Sequence, residues 1–214
     1  MNLYLKQIEL GPLQNFVYLV GCLETRETAV VDPGWDVTKI LQIAKQDEMR
    51  IRQVLVTHTH FDHINGVEEI VQATDAQVVV HKKEVGALPV EGASVKGLEG
   101  QDEVSIGRLK LSLLHTPGHT PGSVCFSIAD RLIAGDTLFI GGCGRCDLPG
   151  GDPETLYDSL SRLRKLDDRI VFYPGHNYGP EPSAPIGKEK ERNPFLSAPS
   201  KEAFLQLTGG IRRR

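Results

Sequence analysis

The segment THTHFDH at residues 57–63 follows a β-branched run, IRQVLVT, and holds four candidate metal ligands: His58, His60, Asp62 and His63. On an extended chain, side chains two positions apart project to the same side, so His58 and His60 can meet at one ion where the strand ends. Asp62 and His63 lie beyond the turn and can serve a second ion. Imidazole and carboxylate groups without a matched cysteine set favour a working zinc, iron or manganese site over a closed zinc knot.

Three further candidate ligands follow, each at a strand end beside glycine or turn residues. His119 lies in HTPGHTPGS, Asp136 in IAGDTLF and His176 in YPGHNYG. Loops at strand ends are where a rigid scaffold presents reactive groups, so these three are candidates to complete the site. His81 and His115 lie outside such motifs and are interpreted as structural histidines.

Short β-branched runs between turn residues predict strands along most of the chain. In the first half they are LYLKQIEL, NFVYLV, TAVVD, IRQVLVT and QVVVH, followed by a hairpin around Gly107. Asp36 is predicted to cap a helix before IRQVLVT, and a second helix is predicted over residues 67–73. Sheet and helix therefore alternate from the start.

The second half continues with strands SVCFSI, RLIAGD and IVFYPG. Asp152 and Pro153 predict the start of a helix with leucines on one face, at positions 156, 160, 163 and 166. The Pro-, Gly- and Lys-rich stretch up to Asn193 is predicted to be a loop, followed by a short helix at KEAFLQL. Strand runs on both sides of the middle predict two sheets with helices packed outside, in one domain spanning residues 1–214.

Composition narrows the classes of partner. The net charge of −4 argues against a nucleic-acid surface, and the three terminal arginines are interpreted as a solvated tail. The N-terminal segment has no signal-peptide pattern and no run suits a membrane span, which predicts a cytoplasmic location. The four cysteines are expected to be reduced, with Cys22 and Cys125 in the core; Cys143 and Cys146 form one CxxC, a weak signal for a redox pair or metal site.

Taken in order, THTHFDH, HTPGHTPG, AGDTLF and YPGHNYG resemble the metallo-β-lactamase-fold hydrolases. The resemblance is closest to the glyoxalase II (hydroxyacylglutathione hydrolase) and persulfide dioxygenase branches, and it covers roughly residues 10–195. It implies an α/β fold, an αββα sandwich of two mixed β-sheets flanked by helices, with the metals at one edge of the sheets.

The resemblance also implies two divalent metal ions, zinc first, with iron or manganese as alternatives. The first ion would be held by His58, His60 and His119. The second would be held by Asp62, His63 and His176, with Asp136 bridging the two.

The activity implied is hydrolysis of a small thioester by a metal-bound hydroxide, which Asp62 would help to orient. Arg145 and Tyr178 match positions that contact the thiol substrate in the family. A thiolate with a pKa of ~8.5 leaves without a dedicated general acid. The implied partner is a small thiol-derived molecule, with neither nucleic acid nor membrane, and the oligomeric state stays open.

A second activity is open on the same motifs. Persulfide dioxygenases bind one ferrous ion through two histidines and one carboxylate, here His58, His119 and Asp136. The segment GCGRCD at residues 142–147 resembles the GCGRTD of that branch. The chain also ends soon after His176, whereas long glyoxalase II enzymes continue with a region that grips glutathione, so recognition of glutathione stays open.

Overall fold

The computed structural model describes residues 2–90, 94–100 and 102–211, with the main chain alone at 210 and 211. By its internal contacts the chain divides into two units, residues 1–113 and 114–214. That one domain spans the chain stays a prediction. The predicted arginine tail lies outside the described residues.

The first unit contains a six-stranded sheet whose strands lie side by side in chain order. They are β1 (Leu3–Leu10), β2 (Asn15–Cys22), β3 (Glu27–Val31), β4 (Arg50–Leu55), β5 (Gln77–His81) and β6 (Val95–Leu98). The first three are antiparallel, whereas β3 to β6 run parallel. The carboxyl ends of β3 and β4 therefore lie at the same edge of the sheet.

Parallel neighbours need a crossover connection, usually a helix. The helices of this unit are α1 (Val37–Gln46), α2 (Phe61–Ile64) and α3 (Val67–Thr74), with a 3-10 helix at Lys82–Ala87. As predicted, the Asp36 side chain caps α1 by accepting a hydrogen bond from the main-chain N–H of Lys39, at 3.1 Å. The apolar faces of α1 and α3 bury Ile40 and Ile70 in the core of the sheet.

A second six-stranded sheet has the order β14-β13-β10-β9-β8-β7. Its strands are β7 (Glu103–Ile106), β8 (Leu109–His115), β9 (Val124–Ile128), β10 (Arg131–Gly135), β13 (Val171–Pro174) and β14 (Ala184–Pro185). Strands β10 and β13 are parallel, so their carboxyl ends share one edge. The short strands β11 (Leu138–Phe139) and β12 (Gly142–Cys143) form a separate ribbon.

The second unit has three helices, α4 (Pro153–Leu163), α5 (Ile186–Arg192) and α6 (Lys201–Ile211). Asp152 caps α4, as predicted, and the helix buries Leu156, Leu160 and Leu163 against the strands. The predicted α/β fold class, with two mixed β-sheets and flanking helices, is confirmed.

The prediction of a loop up to Asn193 is wrong, because this stretch contains β14 and α5. Pro185 leads into the helix with φ near −61°, and Ile186 and Glu189 are buried on one of its faces. Burial of that face stabilises a short, charged segment that composition alone predicts to be irregular.

The predicted stripe on α4 ends with the helix at Leu163, and Leu166 lies beyond it. Cys22 and Cys125 are buried, as expected, and no cysteine in the described part of the chain forms a disulfide. Among the described residues, no helix has both the length and the apolar character needed to cross a membrane.

Candidate metal centre

The ligand segment of the first unit follows the carboxyl end of β4, and Asp32 follows the adjacent parallel strand β3. Asp32 has a left-handed backbone with φ of 50° and is buried. An aspartate tolerates this conformation better than most residues, and here it turns the carboxylate toward the ligand segment. Sequence reasoning missed Asp32; its signal was an aspartate before Pro-Gly at a strand end.

Asp32 holds two of the predicted ligands through hydrogen bonds. Its Oδ1 atom accepts from the N–H of Thr57 at 2.7 Å, and its Oδ2 atom accepts from the Thr57 hydroxyl at 2.5 Å. His63 Nδ1 lies 3.0 Å from Oδ2. Because the Thr57 hydroxyl donates to Asp32, its oxygen accepts from His58 Nδ1, at 3.1 Å. Both histidines therefore carry their proton on Nδ1 and present Nε2 as a ligand atom.

Asp62 is 7% exposed and belongs to the single-turn helix α2. Asn15 donates from Nδ2 to the Asp62 Oδ2 atom at 2.9 Å, and Oδ2 lies 3.6 Å from His63 Nε2. Gly34 lies directly beneath this turn, because a Cβ added there would come within 1.7 Å of the Asp62 carbonyl oxygen. The backbone is thus packed so closely that only glycine fits at this position.

His60 lies just before α2 and is partly buried. Its ring meets the His58 ring edge-on, with centroids 4.8 Å apart and an interplanar angle of 88°. The first unit thus brings its four predicted ligands, His58, His60, Asp62 and His63, together between the end of β4 and α2.

In the second unit Asp136 follows β10 and His176 follows the parallel strand β13. The Asp136 Oδ2 atom lies 3.3 Å from His176 Nε2 and 3.6 Å from His119 Nε2. His119 Nδ1 lies 2.5 Å from the main-chain carbonyl oxygen of Arg145. Nε2 of this ring is therefore also available as a ligand atom. All three side chains are buried, and the second unit brings its three predicted ligands together.

Gly144 allows the Arg145 carbonyl to approach His119. A Cβ added to Gly144 would lie 1.9 Å from the Asp136 carbonyl oxygen and 2.9 Å from His119 Nδ1. Flanking it, Cys143 is partly buried and Cys146 lies in the core of the second unit. Burial, and then the nearby Cys146, raise the pKa of the Cys143 thiol well above its usual range.

The side chains of Arg145 and Tyr178 are exposed beside these ligands. The Tyr178 ring is 56% exposed and stacks on His176, with centroids 4.6 Å apart and planes 10° from parallel. The Arg145 guanidinium makes two hydrogen bonds of 3.0 Å with the Asp147 carboxylate. Elsewhere, His81 is buried and caps the 3-10 helix, and His115 Nε2 lies 3.0 Å from the Pro121 carbonyl, both of which fit structural roles.

The donor atoms of each unit fit a divalent metal. Ligands held at 2.0–2.2 Å in tetrahedral geometry lie about 3.4 Å from each other. The carboxylate-to-Nε2 separations of 3.3 to 3.6 Å match this value and exceed the usual 2.7–3.2 Å of an N–H···O hydrogen bond. Nitrogen and carboxylate oxygen ligands suit zinc, iron and manganese.

Comparison with known proteins agrees with this donor set. The family model described as "Metallo-beta-lactamase superfamily" matches residues 10–176. A probable polyketide biosynthesis zinc-dependent hydrolase, PksB of Bacillus subtilis, is 32% identical over 90% of this chain and 86% of its own length. The hydroxyacylglutathione hydrolase of Anaeromyxobacter dehalogenans is 39% identical over 77% of this chain, which spans only 62% of that enzyme.

Among solved structures, ETHE1 from Myxococcus xanthus is similar over 99% of this chain and 92% of its own, with a TM-score of 0.90 and 32% identity. The family model and the PksB relative match most of this chain, and the ETHE1 structure is similar over 99% of it. The protein is therefore a member of the metallo-beta-lactamase superfamily, whose members are generally metal-dependent enzymes.

Proposed function

We propose that this chain is a metal-dependent hydrolase of the glyoxalase II type, which cleaves a small thioester such as a hydroxyacylglutathione. In the proposed site, one ion is held by His58, His60 and His119. A second would be held by Asp62, His63 and His176, and the Asp136 carboxylate would serve both ions.

The observation that carries the proposal is that hydrogen bonds orient Asp62 and His63 as a pair of metal ligands. Asn15 holds the Asp62 carboxylate 3.6 Å from His63 Nε2, while Asp32 holds the other nitrogen of the same ring. A site for a single ion at His58, His119 and Asp136 needs neither arrangement. The pair therefore favours two ions, which is the arrangement that a hydrolase uses to position and activate water.

When bound, the two ions supply a water of lowered pKa, from ~15.7 to about 7, and a Lewis acid for the substrate carbonyl. The Asp62 carboxylate would accept a hydrogen bond from such a water and orient it toward the substrate carbonyl. The thiolate that leaves has a conjugate acid with a pKa of ~8.5, so the chain needs no general acid at the sulfur. A thioester is thus the ester class best matched to these residues.

Substrate contacts are assigned to Tyr178 and Arg145. The exposed Tyr178 ring lies on His176 and offers an apolar face, while the Arg145 guanidinium offers donors for a carboxylate. The name of the hydroxyacylglutathione hydrolase relative supports a thiol-derived substrate. Because this chain spans 62% of that relative, glutathione itself is one candidate among small thiols.

Zinc is the first choice of metal, in agreement with the name of the zinc-dependent PksB relative, and iron and manganese are the alternatives. We propose that the protein acts on its substrate in the cytoplasm, without nucleic acid or membrane partners.

The alternative is an iron-dependent persulfide dioxygenase acting on glutathione persulfide. Two observations favour this alternative. One is the similarity over almost the full chain to ETHE1, a persulfide dioxygenase, and the other is the segment GCGRCD. In this alternative His58, His119 and Asp136 hold one ferrous ion.

One experiment separates the two activities. The protein is purified without added metal, its metal content is measured, and it is assayed with S-lactoylglutathione and, separately, for oxygen uptake with glutathione persulfide. We expect two ions per chain after loading, turnover of the thioester, loss of activity in His119→Ala and retention in the control His115→Ala. Oxygen uptake with one iron per chain and no thioester turnover would sink the hydrolase proposal.

A further inference from the structure

We propose that Asn15, itself oriented by Trp35, is a positioning residue that fixes the Asp62 carboxylate for the second metal ion. The inference deepens the proposed function and rests on its two-metal site. Neither residue belongs to the ligand motifs: Asn15 begins β2 and Trp35 follows the Pro-Gly turn after β3.

The Asn15 side chain is 1% exposed and spans Asp62 with both amide hydrogens. Nδ2 donates to the Asp62 Oδ2 atom at 2.9 Å and to the Asp62 main-chain carbonyl at 3.2 Å. The amide therefore ties the carboxylate to its own backbone and fixes the side-chain torsion angles. A carboxylate held in this way loses less conformational entropy when it binds an ion.

Trp35 determines which way the Asn15 amide points. The indole Nε1 donates to Asn15 Oδ1 at 2.8 Å, and an indole N–H can only donate. The amide oxygen must face Trp35, so the NH2 group must face Asp62. A flipped amide would place its oxygen against the carboxylate and its hydrogens against the indole N–H, which loses three hydrogen bonds in a buried place.

Trp35 is itself held firmly. Gly11, with φ of +75°, lies under the indole, and a Cβ added there would come within 2.3 Å of the ring. The Phe61 ring meets the indole edge-on, with centroids 6.3 Å apart and an interplanar angle of 88°. Phe61 directly precedes Asp62 in α2, so the indole contacts the ligand turn both through Asn15 and through its neighbour.

Trp35 is the sole tryptophan in the sequence, so its fluorescence reports on the far end of this hydrogen-bonded chain. An ion that binds Asp62 polarises the Asn15 amide and changes the hydrogen bond to the indole. Zinc titration of the metal-free wild-type protein should change the emission of Trp35 when the second ion binds. In Asn15→Ala this second change should disappear.

The test measures zinc affinity by chelator competition and zinc content after dialysis for wild type, Asn15→Ala, Trp35→Phe and the double variant. We expect Asn15→Ala to weaken the second ion about 10–100-fold and to leave the first unchanged. Trp35→Phe should weaken binding of the second ion by a smaller factor, with no further loss in the Asn15→Ala background, because phenylalanine keeps a ring beside Phe61 and removes only the hydrogen bond to Asn15.

The matched control is Thr28→Val. It also removes a buried side-chain hydrogen bond from the first unit, the 2.9 Å bond to the Val20 carbonyl, at the opposite end of β3 from Asp32. Its affinity for both ions should equal that of wild type. If Asn15→Ala does not fold, the zinc affinities of Trp35→Phe and Thr28→Val are compared instead. Weaker binding of the second ion by Trp35→Phe supports the inference, and equal binding overturns it.

Wild-type affinity for both ions in Asn15→Ala overturns the inference, and so do additive losses in the double variant. If the wild-type protein binds one zinc ion and still hydrolyses the thioester, the inference about Asn15 fails too, whereas the hydrolase proposal stands. If the second ion depends on Asn15 while no thioester is hydrolysed, the positioning role stands and the substrate proposal fails.

Discussion

The Oδ2 atom of Asp32 lies 3.0 Å from Nδ1 of His63, and both side chains are at most 3% exposed. Asp32→Asn should keep the left-handed backbone, which asparagine also tolerates, but its amide cannot accept at both positions that the carboxylate serves. We expect zinc affinity to fall about 10–100-fold, as measured by chelator competition.

Asp36→Asn is the matched control, because Asp36 has almost the same backbone, with φ of 47°, but is exposed and caps α1. Asparagine caps a helix as well as aspartate does, so this variant should bind zinc like wild type. Equal zinc affinity of Asp32→Asn and Asp36→Asn would contradict the role assigned to Asp32.

Gly144→Ala should disrupt the ligands of the second unit. The new methyl group would overlap the Asp136 carbonyl and press on His119 Nδ1, and overpacking of this kind costs about 1–3 kcal/mol. The melting temperature and the zinc content should both fall. Gly142→Ala is the control, since a Cβ there has its nearest neighbour at 3.8 Å, on Phe139; a loss as large in that variant would argue against steric contact with the ligands.

Tyr178→Ala should weaken substrate binding without affecting the fold, because the ring is more than half exposed. An aromatic contact is worth about 0.5–1.5 kcal/mol, so KM should rise up to about tenfold while zinc content and melting temperature stay unchanged. Tyr178→Phe keeps the stack on His176 and should resemble wild type. Steady-state kinetics with the thioester provide the measurement, and an unchanged KM in Tyr178→Ala would remove Tyr178 from the substrate contacts.

Cys125 and Cys143 should react slowly in the folded protein. Burial raises the pKa of Cys125 to about 11 and, together with Cys146, raises that of Cys143 further, so neither forms much thiolate at pH 8. Iodoacetamide labelling followed by mass spectrometry should show little modification of these two cysteines in native buffer and complete modification in urea. Rapid native labelling of Cys143 would instead indicate a reactive CxxC pair.

The cap of α4 should stabilise the fold in a pH-dependent way. Asp152 accepts from the N–H of Thr155 at 2.7 Å, and this hydrogen bond lowers the pKa of the carboxyl group. A lowered pKa means that the stabilisation is present above the unfolded-state pKa of ~3.9 and is lost as pH falls through the lower folded-state value.

At pH 7, Asp152→Ala should lose about 1 kcal/mol of the free energy of unfolding, as measured by urea denaturation. Asp152→Asn should lose less, and its stability should depend less on pH below 4. A deficit of Asp152→Ala that stayed constant down to pH 2 would show that the carboxylate is not the stabilising group.

The sequence predicts most strands and most of the described helices because each is encoded by local periodicity, whereas β6, β11, β12 and β14 were not predicted. The segment Ile186–Arg192 is different: its helix depends on burial of two residues against distant parts of the second unit, which no local pattern records. The ligand motifs were equally visible, since THTHFDH is contiguous. Asp32 and Asn15 were missed because their roles arise from pairing of β2, β3 and β4, which brings together residues that lie 20 to 47 positions apart.

Residue 145 takes part in the site through two different groups. Its main-chain carbonyl faces His119, whereas its side chain points to Asp147 at the surface. A change of amino acid replaces the side chain but leaves the carbonyl in place. A different side chain at position 145 is therefore compatible with the same support for His119, provided that residue 144 stays glycine.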